Sequence, residues 1–308
     1  MNKKIAVLLA TYNSEKYIRE KLDSILNQTY KNISIMVSDD FSKDSTVKIL
    51  EDYLKDHENI SIIKSEMPLK SAQANFWFLL KNAPKADYYM FCDHDDVWKN
   101  EKIQKTLTKM LEIESEEKPA LVHTDLFVVD KNLSLISDSM FSMQKLSKNQ
   151  TLENTLIQNN VTGCTMMING ALRDLALKKQ DTENMLMHDW FLAILCLATG
   201  SMGFVDEPLI LYRQHGNNEV GAKDAGKVSY VMKKATQIKK NKESIKSTFI
   251  QAREIAETYK DELGENYVII SEYAKNLDRG KIKRLFSAFK YGFWKNTLVR
   301  KIGQIIFM

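Results

Sequence analysis

The chain has 308 residues, 44% of them hydrophobic, with 11 Gly and 4 Pro, which suits one large α/β domain plus a smaller appendage and excludes a disordered or low-complexity chain. Its net charge of +4 hides a division: from Ala222 onward 19 Lys and Arg face 9 Asp and Glu, and before it 25 face 31. An acidic body excludes a general nucleic-acid binder, whereas a basic tail suits an anionic lipid surface.

The first apolar run, Ile5 to Ala10, reads as a strand buried on both faces. It is too short for a secretion signal or a membrane span, which points to the cytoplasm. Ser14 can cap a helix with Tyr17, Ile18, Leu22, Ile25 and Leu26 on one stripe. Ile33 to Val37 is a second strand, ending in Ser38-Asp39-Asp40. Ser42 or Asp44 can cap the next helix, with Val47, Leu50 and Leu54 inside. Ile60 to Ile63 is a third strand, and a helix around Asn75 to Leu80 leads to a fourth, Tyr88 to Cys92. Ala120 to His123 is a fifth. This alternation predicts a mostly parallel sheet with helices on both faces. From Asn149 to Gly221 the pattern is mixed, and from Val228 to Tyr273 it is helical. The expected division is an α/β domain over 1–221 and a basic helical region over 222–308. Cys92, Cys164 and Cys196 have no metal-like spacing and read as buried thiols in a reducing compartment.

In such sheets the ligand crevice lies beyond the carboxyl ends of the strands. Three polar clusters are expected along that edge: Thr11-Tyr12-Asn13, Asp39-Asp40 and Asp93-His94-Asp95-Asp96. Three carboxylates within four residues repel one another unless they are solvated or hold a cation. Aspartate oxygens suit hard Mg²⁺ or Mn²⁺, which in turn bridge phosphates. The plain alternative is a solvated acidic turn capping a helix that starts near Asn100. Asp39-Asp40 can accept hydrogen bonds from a nucleobase or ribose, or cap the following helix. His188-Asp189-Trp190 opens an apolar helix, where Asp189 could act as a base or simply as its N-cap. In Tyr212-Arg213-Gln214-His215 the Arg can pair with phosphate and the His can bind metal; a surface loop is the alternative. GxGxxG, GxxxxGK[ST] and GxSxG are all missing, which argues against a dinucleotide dehydrogenase, a P-loop NTPase and an α/β-hydrolase.

Ala10-Thr11-Tyr12-Asn13, Gln28-Thr29-Tyr30, Ser38-Asp39-Asp40-Phe41-Ser42 and Asp93-His94-Asp95-Asp96-Val97-Trp98 together resemble inverting family 2 glycosyltransferases of the GT-A fold, over residues 5 to about 215. Phe91 to Trp98, Leu121-Val122-His123-Thr124-Asp125, Val161-Thr162-Gly163-Cys164-Thr165, Met187-His188-Asp189-Trp190 and Tyr212-Arg213-Gln214-His215 narrow the resemblance to rhamnosyltransferases that build bacterial cell-wall and capsular polysaccharides. The family often has glycine where this chain has Phe41. Phenylalanine takes positive φ less cheaply, so the turn is expected to differ.

The resemblance implies a GT-A fold, a Rossmann-like, mostly parallel sheet flanked by helices, with a C-terminal helical extension. It implies that Thr11, Tyr12, Asn13 and Asp40 hold the nucleoside of a nucleotide-diphosphate sugar, with Asp93, His94 and Arg213 alongside. Asp93, Asp95 and His215 would bind Mn²⁺ or Mg²⁺, and Asp189 would be the general base. The expected donor is dTDP-β-L-rhamnose and the acceptor a polyprenyl-linked glycan. A UDP-hexose donor and an inactive carbohydrate-binding homologue are the competing readings. Between Lys281 and Met308 there are seven Lys and Arg and no Asp or Glu. Ile282, Leu285, Phe286, Phe289 and Phe293 fall on one helical face with Trp294 beside them, the composition of a helix lying on the inner face of the plasma membrane. A terminal helix packed on the rest of the protein is the alternative.

Overall fold

Strand β1 (Ile5–Thr11) is buried along its whole length, as a continuous apolar run requires in the middle of a parallel sheet. The computed structural model describes residues 2–115, 117–215 and 238–308. Helix α1 (Ile18–Leu26) follows, then β2 (Ile33–Asp39), α2 (Thr46–Asp56), β3 (Ile60–Ile63), α3 (Ala72–Asn82) and β4 (Tyr88–Cys92). β1 pairs in parallel with β2 and β4, and β2 with β3. In the register Thr11 lies opposite Asp39 and Leu9 opposite Cys92, so the three carboxyl ends share one edge, as expected.

The sheet then changes character. After β5 (Val97–Trp98) and α4 (Lys102–Ile113) come β6 (Ala120–Val129), β7 (Leu135–Ser137), α5 (Met140–Gln144), α6 (Leu152–Ile157), β8 (Met167–Asn169), α7 (Gly170–Ala176), α8 (His188–Thr199) and β9 (Ser201–Arg213). The strand order is β3-β2-β1-β4-β8-β6-β9-β5, with β7 paired to β6. β8 runs antiparallel to both β4 and β6, β9 is parallel to β6, and β5 is antiparallel to β9. The result is a mixed, mostly parallel sheet flanked by helices, with a C-terminal helical region. α4 packs on β6 and β9, and Gly203 permits the approach: a Cβ there would meet Ile113 Cδ1 at 3.0 Å.

By packing, the chain forms two units. The first takes Met1–Met140, Thr162–Thr182 and the described part of Ser201–Gly221, and holds the sheet. The second takes Phe141–Val161, Glu183–Gly200 and the described part of Ala222–Met308. The expected boundary at 221, and the start of the expected helix at Val228, lie outside the described residues. The segments carrying α6 and α8 group with the C-terminal helices.

Those helices are α9 (Ile238–Thr258), α10 (Asn266–Ala274), α11 (Lys281–Tyr291) and α12 (Leu298–Phe307). Phe191 of α8 meets Tyr259 with ring centroids 6.0 Å apart, and Leu186 N donates to Gln251 Oε1 at 2.8 Å. Asn154 Nδ2 donates to Trp294 O at 2.9 Å, and Asn296 N to Gln158 Oε1 at 3.0 Å. All three cysteines are buried and unbridged, as expected. Among the described residues no helix is long and apolar enough to cross a membrane.

Candidate active site

The loops leaving β1 and β2 are fastened to each other. Thr11 Oγ1 donates to Asp39 Oδ1 at 2.9 Å, Asn13 N to Ser42 Oγ at 2.7 Å, Lys43 N to Asn13 Oδ1 at 2.8 Å and Ser14 N to Thr46 Oγ1 at 2.6 Å. Asp39 also accepts from Ser42 N at 2.8 Å, which closes the turn around Phe41. Phe41 itself sits at φ 60. Phe41 thus adopts the left-handed conformation, at a steric cost of about 1–2 kcal/mol for a residue with a Cβ. Four hydrogen bonds across the two loops hold it there.

Asp40 accepts from Leu69 N at 2.6 Å and Lys70 N at 2.8 Å, which makes its carboxylate an anchor for the 65–70 loop. The nucleoside-binding set read from sequence divides accordingly. Thr11, Asn13 and Asp40 have their side chains engaged within the fold, where they shape the edge. Tyr12, 55% exposed, presents an open ring there, and so does Phe41, at 41%.

The Asp93–Asp96 run is not a solvated turn. Asp95 and Asp96 are 8% and 1% exposed, and α4 begins only at Lys102. Asp95 Oδ2 lies 2.7 Å from His215 Nε2, and the His215 ring stacks on Tyr17 with centroids 5.5 Å apart. His94 is held below its ordinary pKa, first by burial and against the pull of Asp95. Arg213 is no surface residue: it ends β9 at 3% exposure. Its Nε donates to Asp95 O and its Nη1 to Lys131 O, both at 2.8 Å. Its Nη2 meets Glu20, and its guanidinium covers the Tyr17 ring at 4.6 Å. The Arg213 fork is thus engaged within the fold, by the Asp95 and Lys131 carbonyls and by Glu20, and braces the carboxylate run against the end of β9.

Asp96 accepts from Arg213 N at 2.9 Å, and burial raises its pKa well above the ordinary carboxylate range. It forms a close group with Asp93 and Cys164, their potential ligand atoms within 4.8 Å of one another. Burial raises the Cys164 thiol too. Thiol sulfur is a poor ligand for a hard cation, which weakens this group as a Mn²⁺ or Mg²⁺ site. Asp95 and His215 place a carboxylate oxygen and an imidazole nitrogen 2.7 Å apart, donor types that Mn²⁺ or Mg²⁺ accept, whereas Asp93 groups with Asp96 and Cys164.

Lys21 and Lys102 were not expected here. Both are fully buried, with Nζ 5.0 Å and 4.2 Å from the Trp98 ring centroid. Burial lowers the Lys102 pKa to about 7 and raises Cys92 to about 11. Helical periodicity alone would have placed α1 and α4 lysines in solvent; the one available signal was an aromatic beside the carboxylate run.

Asp189 belongs to the second unit. It stands in the first turn of α8, 8% exposed, and Asn159 Nδ2 donates to its Oδ1 at 3.1 Å. The N-cap position is Met187, which makes no side-chain cap bond, and Asp189 Oδ1 accepts from Trp190 N at 2.5 Å in the first turn. A first-turn carboxylate is favoured by the helix dipole. His188 beside it is fully buried, and burial lowers its pKa to about 3.

The profile of Glycosyl transferase family 2 matches residues 6–176. A dTDP-rhamnosyl transferase RfbG of Shigella flexneri is 29% identical over 232 residues, 72% of this chain and 76% of that protein. Among solved structures, S. aureus TarS 1-349 superposes with TM-score 0.60 at 18% identity, over 94% of this chain and 72% of that one. The mannosyltransferase PcManGT of Pyrobaculum calidifontis, solved with GDP-Man and Mn²⁺, gives 0.56 at 14% identity, over 93% and 73%. At these identities the two structures speak for the fold alone.

Proposed function

The chain belongs to glycosyl transferase family 2 and is a glycosyltransferase, and from that premise we propose that it moves L-rhamnose from dTDP-β-L-rhamnose, with inversion, onto a lipid-linked precursor of a surface polysaccharide. The similarity to RfbG supports the donor. The observation that carries the chemistry is the Asp95–His215 pair at the carboxyl edge of the sheet, braced by Arg213.

A divalent cation held by Asp95 and His215, with Asp93, would neutralise the charge growing on the leaving diphosphate. The protein's own residues do the rest. Tyr12 and Phe41 offer exposed rings on which a nucleobase can stack. The fastened loops keep those rings in place before the donor arrives, so little ordering remains to be done on binding. Asp189 takes the proton from the acceptor hydroxyl as it attacks the anomeric carbon, and one displacement inverts the configuration. Asn159 fixes the orientation of that carboxylate. The reading includes peripheral attachment to the inner face of the plasma membrane, where a polyprenyl-linked acceptor resides.

The test is a donor panel with purified protein and Mn²⁺. Release of dTDP from dTDP-β-L-rhamnose, well above that of UDP or GDP from their sugars, supports the reading. Preference for a UDP-hexose would replace the donor and keep the enzyme class. Failure to turn over any donor would sink the reading.

A further inference from the structure

Helices α11 and α12 are amphipathic the wrong way round. α11 buries Ser287 and Ala288 and leaves Ile282, Phe286 and Phe289 at 85%, 68% and 73% exposed. α12 buries Gln304 and exposes Leu298, Val299, Ile302, Ile305 and Ile306. At 100° per residue these five lie on one stripe.

Polar contacts are what hold each helix in this orientation. Gln304 Nε2 donates to Phe293 O at 2.6 Å, and its Oε1 accepts from Lys295 N at 2.9 Å. Arg284 Nε donates to Asn276 O at 2.8 Å and its Nη1 to Met308 O at 2.8 Å, while Lys281 Nζ reaches Ile306 O at 3.3 Å. The last two bonds join the start of α11 to the end of α12, so the pair forms a hairpin. Phe293, expected on the exposed face, is fully buried: Gly292, at φ 79, ends α11 and turns the chain inward onto Tyr273.

A cavity of about 310 Å³ opens at the tied end of the hairpin, lined by Lys242, Lys246, Lys281 and Arg284 with Glu243 the one acidic residue. Among the described residues Lys242, Lys246 and Lys281 are paired with no carboxylate, whereas Arg284 Nη1 donates to an oxygen of the Met308 terminal carboxyl at 2.8 Å. Arg284 also bonds the Asn276 and Leu277 carbonyls and lies over the Phe249 ring, which leaves the three lysines as the uncompensated cations of the recess.

We propose that this hairpin and its cavity are the docking surface for an anionic phospholipid bilayer: the apolar stripes enter the headgroup boundary and the cavity receives a lipid phosphate. The proposal deepens the membrane part of the functional reading. It follows from a large apolar surface held outward, from seven basic and no acidic residues between Lys281 and Met308, and from a cation-lined recess beside that surface. A second copy of the chain is a poorer occupant, because two such faces would bring like charges together.

The experiment is cosedimentation at low salt with vesicles of equimolar phosphatidylglycerol and phosphatidylcholine, or of phosphatidylcholine alone. Two double variants serve, Phe286→Ser with Ile302→Ser and Lys242→Ala with Lys246→Ala, all at exposed positions. Wild type should partition onto the anionic vesicles. The apolar variant should lose roughly tenfold or more of that partition, and the lysine variant should lose the preference for phosphatidylglycerol. Equal binding of wild type to both vesicles, binding by neither, or unchanged binding by the apolar variant would overturn the proposal. So would a dimer abolished by the apolar changes without vesicle binding, or binding of inorganic phosphate at the lysines with no partition. Donor hydrolysis, measured on the same samples, should remain at the wild-type level; its loss in wild type would count against the enzymatic reading and leave the vesicle result standing.

Discussion

His215 Nε2 meets Asp95 Oδ2 at 2.7 Å although 120 residues separate them in the chain. The contact depends on β9 reaching the same edge as β4 and on Arg213 fastening the end of β9 to the Asp95 backbone. It joins a carboxylate and an imidazole from two elements that local sequence does not connect.

Removing either partner should therefore abolish turnover without unfolding the protein. Asp95→Asn and His215→Ala are each expected to lower kcat by roughly a hundredfold or more, on the scale of lost charge stabilisation. Because the two act on one ion, the double variant should be little worse than either single one. Donor hydrolysis with and without excess EDTA checks this; full activity in EDTA would refute the metal role.

Asp189→Asn should lower turnover by about a hundredfold or more while donor affinity survives. Because the amide oxygen of Asn can still accept from Trp190 N and Asn159 Nδ2, the substitution should move the melting temperature little. Normal turnover by the Asn variant, followed as dTDP release in the presence of acceptor, would remove Asp189 from the reaction.

Phe41→Gly should be tolerated or mildly stabilising. Relief of about 1–2 kcal/mol at φ 60 is partly offset by the entropy glycine loses on folding. Phe41→Val should cost more than either, since a β-branched residue is a poor occupant of positive φ. Urea midpoints of the three proteins decide the order. A Phe41→Gly protein less stable than Phe41→Val would show that the aromatic side chain, rather than the backbone, governs this turn.

Lys102 predicts a dependence of stability on pH. In the folded protein it loses its proton near pH 7, whereas in the unfolded chain it keeps it to about 10.5. Between those values the unfolded state holds the extra proton, so stability rises with pH across that window and the loss is complete below pH 7. Lys102→Met removes this contribution. The stability gained over wild type should shrink as pH rises from 7 towards 10, with a slope on the order of 1.4 kcal/mol per pH unit at most. A difference that stays flat across the window would mean that Lys102 remains charged in the folded state.

The parallel half of the sheet was legible in the sequence because each of its strands either is a short unbroken apolar run, as Tyr88 to Cys92 is, or alternates cleanly with an amphipathic helix. The carboxylate run was legible from its position after such a strand. β9 was not: Asp206, Glu207 and Pro208 interrupt it, and its pairing with β6 shifts register around Asp125, so neither strand periodicity survives. That Arg213 ends this strand, rather than lying in the surface loop weighed as the alternative, was hidden for that reason. Lys21 and Lys102 escaped notice because a lysine on an amphipathic helix is read as solvent-facing, and only the fold brings both against Trp98. At Phe41 the intrinsic preference against positive φ is overridden by the bonds among Asn13, Ser42 and Asp39, which local sequence does not reveal.

The chain passes back and forth between its two packing units at 140/141, 161/162, 182/183 and 200/201 before entering the C-terminal helices. During synthesis, α8 emerges from the ribosome well before Tyr259 and Gln251, the residues that will cover Phe191 and bond Leu186. A largely apolar helix carrying Asp189 must therefore wait, uncovered, for partners more than sixty residues downstream. Nascent chains stalled before α9 should accordingly recruit holdase chaperones, and release from them should coincide with the emergence of α9 and α10.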